Sequence, residues 1–134
     1  MLSPIGDIDI DLSQVYAVTD VQENPADPSE GIEASFSFEI ALHGGSLGLV
    51  GDSEADAEEA RQDVIDGLDP ESLESTGGVT FDYSQVTALG PVGSDDEGTM
   101  GFEVYFVGSE ATLIYDSETE AENARNDLLN AING

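Results

Sequence analysis

The chain carries one unit twice. Leu12-Ser13-Gln14-Val15 returns as Tyr83-Ser84-Gln85-Val86, each preceded by an Asp (Asp11, Asp82) and followed two residues later by Ala17 or Ala88. Phe38-Glu39-Ile40 returns as Phe102-Glu103-Val104. Asp52-Ser53-Glu54, with Ala57-Glu58-Glu59-Ala60-Arg61-Gln62-Asp63 behind it, returns as Asp116-Ser117-Glu118 with Ala121-Glu122-Asn123-Ala124-Arg125-Asn126-Asp127. The offset is 71 residues in the first block and 64 in the others, so the first copy has a connection seven residues longer, around 24–31. Lengthening a surface loop by that much costs roughly a few tenths of a kcal/mol in closure entropy, which leaves the core indifferent to it. Residues 1–69 form the first unit, 70–78 read as a linker, and 79–134 form the second.

Within each unit the pattern is strand, strand, strand, helix. Ile8, Ile10 and Leu12 alternate with Asp7, Asp9 and Asp11, and Val79, Phe81 and Tyr83 alternate with Thr80 and Asp82, the period of a half-buried strand. Phe36, Phe38, Ile40 and Leu42 follow in the first copy, and Met100, Phe102, Val104 and Phe106 in the second. A turn at Gly44-Gly45 or Gly108-Ser109 leads to a third short strand, 47–50 or 111–115. Strands so closely spaced run as an antiparallel meander. Ser53 and Ser117 have the position of helix N-caps, with Asp56 and Glu120 three residues on as in a capping box. Ala57, Ala60, Val64, Ile65 and Leu68 share one helical stripe, as do Ala121, Ala124, Leu128, Leu129 and Ile132. The first helix is expected to stop at Asp69-Pro70.

One unit of about 60 residues buries little apolar surface for its size, so two in tandem are expected to share a core. The expected fold is α+β: two tandem βββα repeats, each meander covered by its C-terminal helix, related by a pseudo-twofold like the halves of a homodimer.

The charges carry almost a single sign. Of 134 residues, 30 are Asp or Glu, two are Arg and none is Lys, for a formal net charge of −28. Acidic chains poor in aromatics are often disordered, but here 39% of residues are hydrophobic, five are Phe, four are Tyr, and the apolar positions are periodic. Like charge repels itself across a compact body and keeps molecules apart. At ~1 M salt the Debye length falls to about 3 Å, from about 8 Å at ~0.15 M, and the repulsion is largely screened. The composition resembles that of proteins from extreme halophiles, haloarchaea and their viruses above all. That resemblance implies a virion, or the cytoplasm of a salt-accumulating cell, as the setting. Two cations cannot neutralise a useful number of phosphates, which excludes direct nucleic-acid binding. Residues 1–10 lack the basic and apolar regions of a signal peptide, and no apolar run approaches a membrane span. Without Cys there are neither disulfides nor thiolate metal sites.

Arg61 and Arg125 occupy the same place in the repeat. One reading makes them clamps for an anion or a carboxylate ligand. The other makes them structural, in salt bridges to Glu58 and Glu122 one turn back or to an acid on another element. Asp7, Asp9 and Asp11 imitate the start of a calcium loop, but Leu12 stands where Gly is required and Val18 where Glu is required. Asp95, Asp96 and Glu97 lie in a hairpin loop and form a cation-loop candidate. His43 is the one histidine and has Val107 as its counterpart, which suits a loop residue.

No catalytic residues stand out and no cofactor is expected. Nucleophilic Cys and Lys are absent, and Gly45, Gly48 and Gly51 fit neither dinucleotide nor phosphate-loop patterns. The chain therefore reads as a non-enzymatic structural or assembly protein of halophilic source, such as a virion head, connector or tail component, with protein partners that include copies of itself and with solvent cations around it. Exposed strand edges are the surfaces such a protein offers. The alternatives are a nucleic-acid mimic that inhibits a DNA-binding protein, and a regulatory module that binds a cation or small ligand between the copies.

Overall fold

The computed structural model describes residues 2–5, 8–68, 70–95 and 97–133. The first half runs β1 (Ser3–Ile5), β2 (Ile8–Ile10), a 3-10 turn at Leu12–Gln14, β3 (Val15–Thr19), β4 (Gln22–Asn24), a 3-10 turn at Pro28–Glu30, β5 (Ser35–Leu42), β6 (Gly45–Gly51) and helix α1 (Glu54–Asp66). The second half runs a 3-10 turn at Pro70–Ser72, β7 (Leu73–Thr76), β8 (Val79–Asp82), a 3-10 turn at Tyr83–Gln85, β9 (Ala88–Leu89), β10 (Gly93–Ser94), β11 (Met100–Phe106), β12 (Ser109–Tyr115) and helix α2 (Glu118–Asn133). The fold is α+β and its paired strands are antiparallel.

Three strands before each helix was too few. The strand expected over Ile8–Leu12 ends at Ile10, because the Asp11 carboxylate accepts hydrogen bonds from the Ser13 amide (3.1 Å) and hydroxyl (2.6 Å) and turns the chain. Asp82 does the same to Ser84, at 2.9 and 2.6 Å, and ends β8 before Tyr83. A side chain that bonds locally to the backbone competes with the ladder, and here the turn wins. The stretch expected as a linker, 70–78, also differs, since it contains β7 and the turn into β8. Gly77 and Gly78 both have positive φ, 62° and 81°, which a two-residue type I′ hairpin turn requires.

Two sheets result. In the first the order is β6-β5-β3-β8-β7, with β4 continuing along β5 beyond the end of β3. In the second, β12 takes one edge of β11 while β9 and β10 lie in succession along the other. The hairpin β1–β2 stands apart as a pair. Its register repeats in β7–β8: Ser3↔Ile10, Pro4↔Asp9 and Ile5↔Ile8 correspond, 71 residues on, to Glu74↔Phe81, Ser75↔Thr80 and Thr76↔Val79.

Strand β3 is the axis of the molecule. Its Val15-Tyr16-Ala17-Val18 run is buried throughout, as expected of a strand covered on both faces. A register shift between Val15 and Ala17 sends Val15 and Val18 into one core and Tyr16 and Ala17 into the other. The first core gathers Phe38, Ile40, Leu49 and Val64 with Ile5 and Ile10 of the free-standing hairpin. The second gathers Phe81, Phe102, Val104, Leu113 and Leu128. Helix α1 adds Val64 to the first core and α2 adds Leu128 to the second, while Ala57 and Ala121 are buried earlier on the same helix stripes. Leu129, expected on the buried stripe, is 38% exposed. The turns that follow β5 and β11 touch each other: the Gly44 amide donates to the Val107 carbonyl at 3.1 Å. Gly108, at φ +79°, lies so close that a Cβ there would sit 2.5 Å from the Gly44 Cα.

Candidate functional site

The two guanidinium groups sit where helix meets strand end. Arg61 projects from α1, with its side chain 15% exposed, and its Nε donates to the Thr19 carbonyl at 2.8 Å. Its Nη2 donates to Asp20 Oδ1 and to Thr80 Oγ1, both at 3.1 Å. Thr80, buried on β8, shares a 2.7 Å hydrogen bond with Ser75 on β7. One planar group with donors fixed on two nitrogens, Nε and Nη2, thus ties α1, β3 and β8 together.

Arg125 repeats half of this. Its Nε donates to the Gly90 carbonyl at 2.8 Å, as Arg61 does to Thr19. Thr19 and Gly90 each follow the last registered pair of their strand with its neighbour, Val18↔Ile40 and Leu89↔Val104. The rest of the guanidinium has only a long contact, Nη2 to the Leu89 carbonyl at 3.5 Å. Pro91 stands where the first copy has Asp20. Among the described residues the ion pair formed by these cations is Arg61–Asp20; neither Glu58 nor Glu122 takes part. The Nε bond to the strand draws each guanidinium toward the sheet and away from its own preceding turn.

Beside Arg125 a groove of about 270 Å³ runs between β9 and α2, lined by Val86, Ala88, Leu89, Leu129 and Ile132. Next to it a hollow of about 470 Å³ is bounded by Pro91, Val92, Glu122 and Asn126, with Arg125 between the two. Thr87 and Asn133 also line the first and Glu122 and Asn126 the second, so both hollows are polar as well as apolar, with a strand edge on one wall and a cation between them. A separate hollow of about 360 Å³ lies on the outer face of the second sheet, over Gly101, Tyr105 and Ile114. There the Tyr105 hydroxyl donates to the Glu103 carboxylate, and this bond pushes the phenol above its usual range.

Ser53 Oγ accepts from the Asp56 amide at 3.1 Å and Ser117 Oγ from the Glu120 amide at 3.2 Å, so both serines cap their helices. Asp95 Oδ1 accepts from the amides of Glu97 and Thr99, each at 2.9 Å, which commits that oxygen to the loop itself. Asp96 lies outside the described residues, as do Asp7 and Asp69. No cluster of three or more His, Asp or Glu side chains able to hold a metal ion occurs among the described residues. Asp9 is exposed, and Asp11 is held below the usual carboxylate range, first by the Ser13 hydroxyl and then by its amide. His43 Nδ1 pairs with the Tyr16 hydroxyl at 2.9 Å, and Tyr16 stacks on Phe106 across the two halves. No local pattern marks that pair, whose members lie 27 residues apart.

No family model, no curated protein and no solved structure matches this chain. Among the described residues no helix is long and apolar enough to cross a membrane.

Proposed function

We propose that the chain is a non-enzymatic assembly protein of a salt-accumulating source, a structural piece such as a virion head, connector or tail component. It is built as two fused like units related by an approximate twofold, and its partners are proteins, copies of itself included. The observation that carries this reading is an unequal use of like edges. On the first sheet, β8 pairs with the outer edge of β3. On the second, the outer edge of β9 pairs with no strand among the described residues and opens on the groove beside Arg125, where Leu129 and Ile132 lie. An unpaired strand edge beside a groove is a template for strand addition.

Support for the paired units comes from the matching hairpin registers, the matching Nε bonds of Arg61 and Arg125, and the contact between the Gly44 and Gly108 turns. The acidic surface belongs to the setting: −28 charges repel in dilute buffer and are screened at ~1 M salt. Size-exclusion chromatography in about 1 M KCl, followed by affinity capture from a native lysate of the source, tests the reading. Assemblies or reproducibly retained proteins are expected. A strict monomer that retains nothing contradicts it.

A further inference from the structure

We infer that the open edge of β9 is completed by the β1–β2 hairpin of a second copy of this chain, in the register with which β8 completes β3 within one molecule. The inference rests on the assembly reading above and names its partner and its place.

The template is the joint already present. Ala17↔Phe81, Val18↔Thr80 and Thr19↔Val79 pair β3 with β8. Its two sides each have a counterpart 71 residues away: Ala88, Leu89 and Gly90 for β3, and Ile10, Asp9 and Ile8 for β8. The hairpins β1–β2 and β7–β8 have the same internal register, so the substitute has the required shape. Its joining edge is also free, since β2 pairs with β1 alone among the described strands. The pairs formed between molecules are Ala88↔Ile10, Leu89↔Asp9 and Gly90↔Ile8.

The side chains fit this exchange. Thr80, which accepts from Arg61 in the internal joint, is replaced by Asp9. Arg125, the cation that lacks a carboxylate, thereby meets one, and Asp9 is exposed in the single chain. Leu73 of β7 packs against the core beside Ile65 and Leu68. Its counterpart is Leu2, 65% exposed, and the counterparts of Ile65 and Leu68 are Leu129 and Ile132 in the groove. Two of the molecule's exposed large apolar side chains, Leu2 and Leu129, are covered by one docking event. The correspondence stops at Pro91. It lacks the N–H with which Asp20 donates to the Gly78 carbonyl at 2.8 Å, so the joint between molecules is one hydrogen bond shorter. A surface that meets a different surface on its neighbour closes into a ring or extends as a filament, and a reciprocal exchange closes as a dimer.

The chain has no Cys, so introduced thiols report cleanly. Antiparallel partners lie about 4.5–5.5 Å apart at Cα, within the span of a disulfide. Asp9→Cys and Leu89→Cys chains are mixed in equal amounts in about 1 M KCl and oxidised, after circular dichroism shows both folded. A mixed disulfide joining position 9 of one chain to position 89 of the other, well in excess of the two symmetric ones, is expected, and the double variant should give covalent dimers or a ladder. Sedimentation adds a second readout: Asp9→Arg, at an exposed position, should abolish self-association, and Arg125→Asp in the same chain should restore it. Random or absent mixed disulfide, together with unaltered association of Asp9→Arg, overturns the inference. If the chain is monomeric but retains foreign proteins in molar KCl, this joint is wrong and the assembly reading stands; a monomer that retains nothing overturns both.

Discussion

Arg61 and Arg125 are alike in sequence and unlike in what they carry. Both satisfy a strand-end carbonyl, but only Arg61 also holds the buried Thr80 hydroxyl and an acid. The Thr80 hydroxyl keeps its Ser75 bond when the guanidinium is lost, so the cost is that of the charged hydrogen bonds themselves, about 1.5–3 kcal/mol. The Asp20 contact adds little, because Asp20 is 65% exposed. Arg61→Gln should therefore lower unfolding free energy by about 2–3 kcal/mol and Arg125→Gln by about 1 kcal/mol, as read by denaturant titration of dilute protein in high salt. Equal losses, or a larger one at Arg125, would refute this division of labour. The need for a cation at this point of the repeat was legible, since the chain has no other. Its partners were not, because Thr19, Thr80 and Gly90 lie 42, 19 and 35 residues from their arginines and nothing local marks them.

Among elements, those with clear periodicity were read and those without it were missed. The long hairpins β5–β6 and β11–β12 and both helices carry alternating or stripe patterns with capping serines, and they lie where the pattern puts them, except that α1 ends at Asp66 rather than at Asp69-Pro70 and leaves Leu68 outside the helix. Strand β3 has no alternation because both its faces are buried, so its apolar run carries no period. Strand β7 contains one apolar residue, Leu73, in four, and only the Gly77-Gly78 pair betrays a hairpin. That hairpin is nonetheless what joins the second half to the first sheet, through β8 and β3. Both glycines are at positive φ, but only at Gly77 would a Cβ crowd a neighbour, 2.6 Å from Leu113 Cβ. Gly78→Ala should thus cost about 1–3 kcal/mol from backbone strain, and Gly77→Ala distinctly more, with a lower denaturation midpoint. Equal effects would show that the β7–β8 turn does not press on β12.

At the scale of the molecule, two cores meeting along one strand underlie a chain whose charges are almost all negative. The fold is α+β, and among the described strands β9 pairs on one side alone, with β11. On the proposed reading the acidic surface calls for ions, since carboxylates held close together on a small body repel until the Debye length becomes shorter than their spacing. The proposed assembly needs the same condition twice over, because each joint brings together two bodies of charge −28. The most direct measurement is the thermal unfolding midpoint, followed by circular dichroism, in a KCl series from nearly ion-free water to above ~1 M. The midpoint should climb steeply with salt and native structure should be lost at the dilute end, whereas full structure with an unchanged midpoint in nearly ion-free water would contradict the claim that dissolved ions hold this fold together.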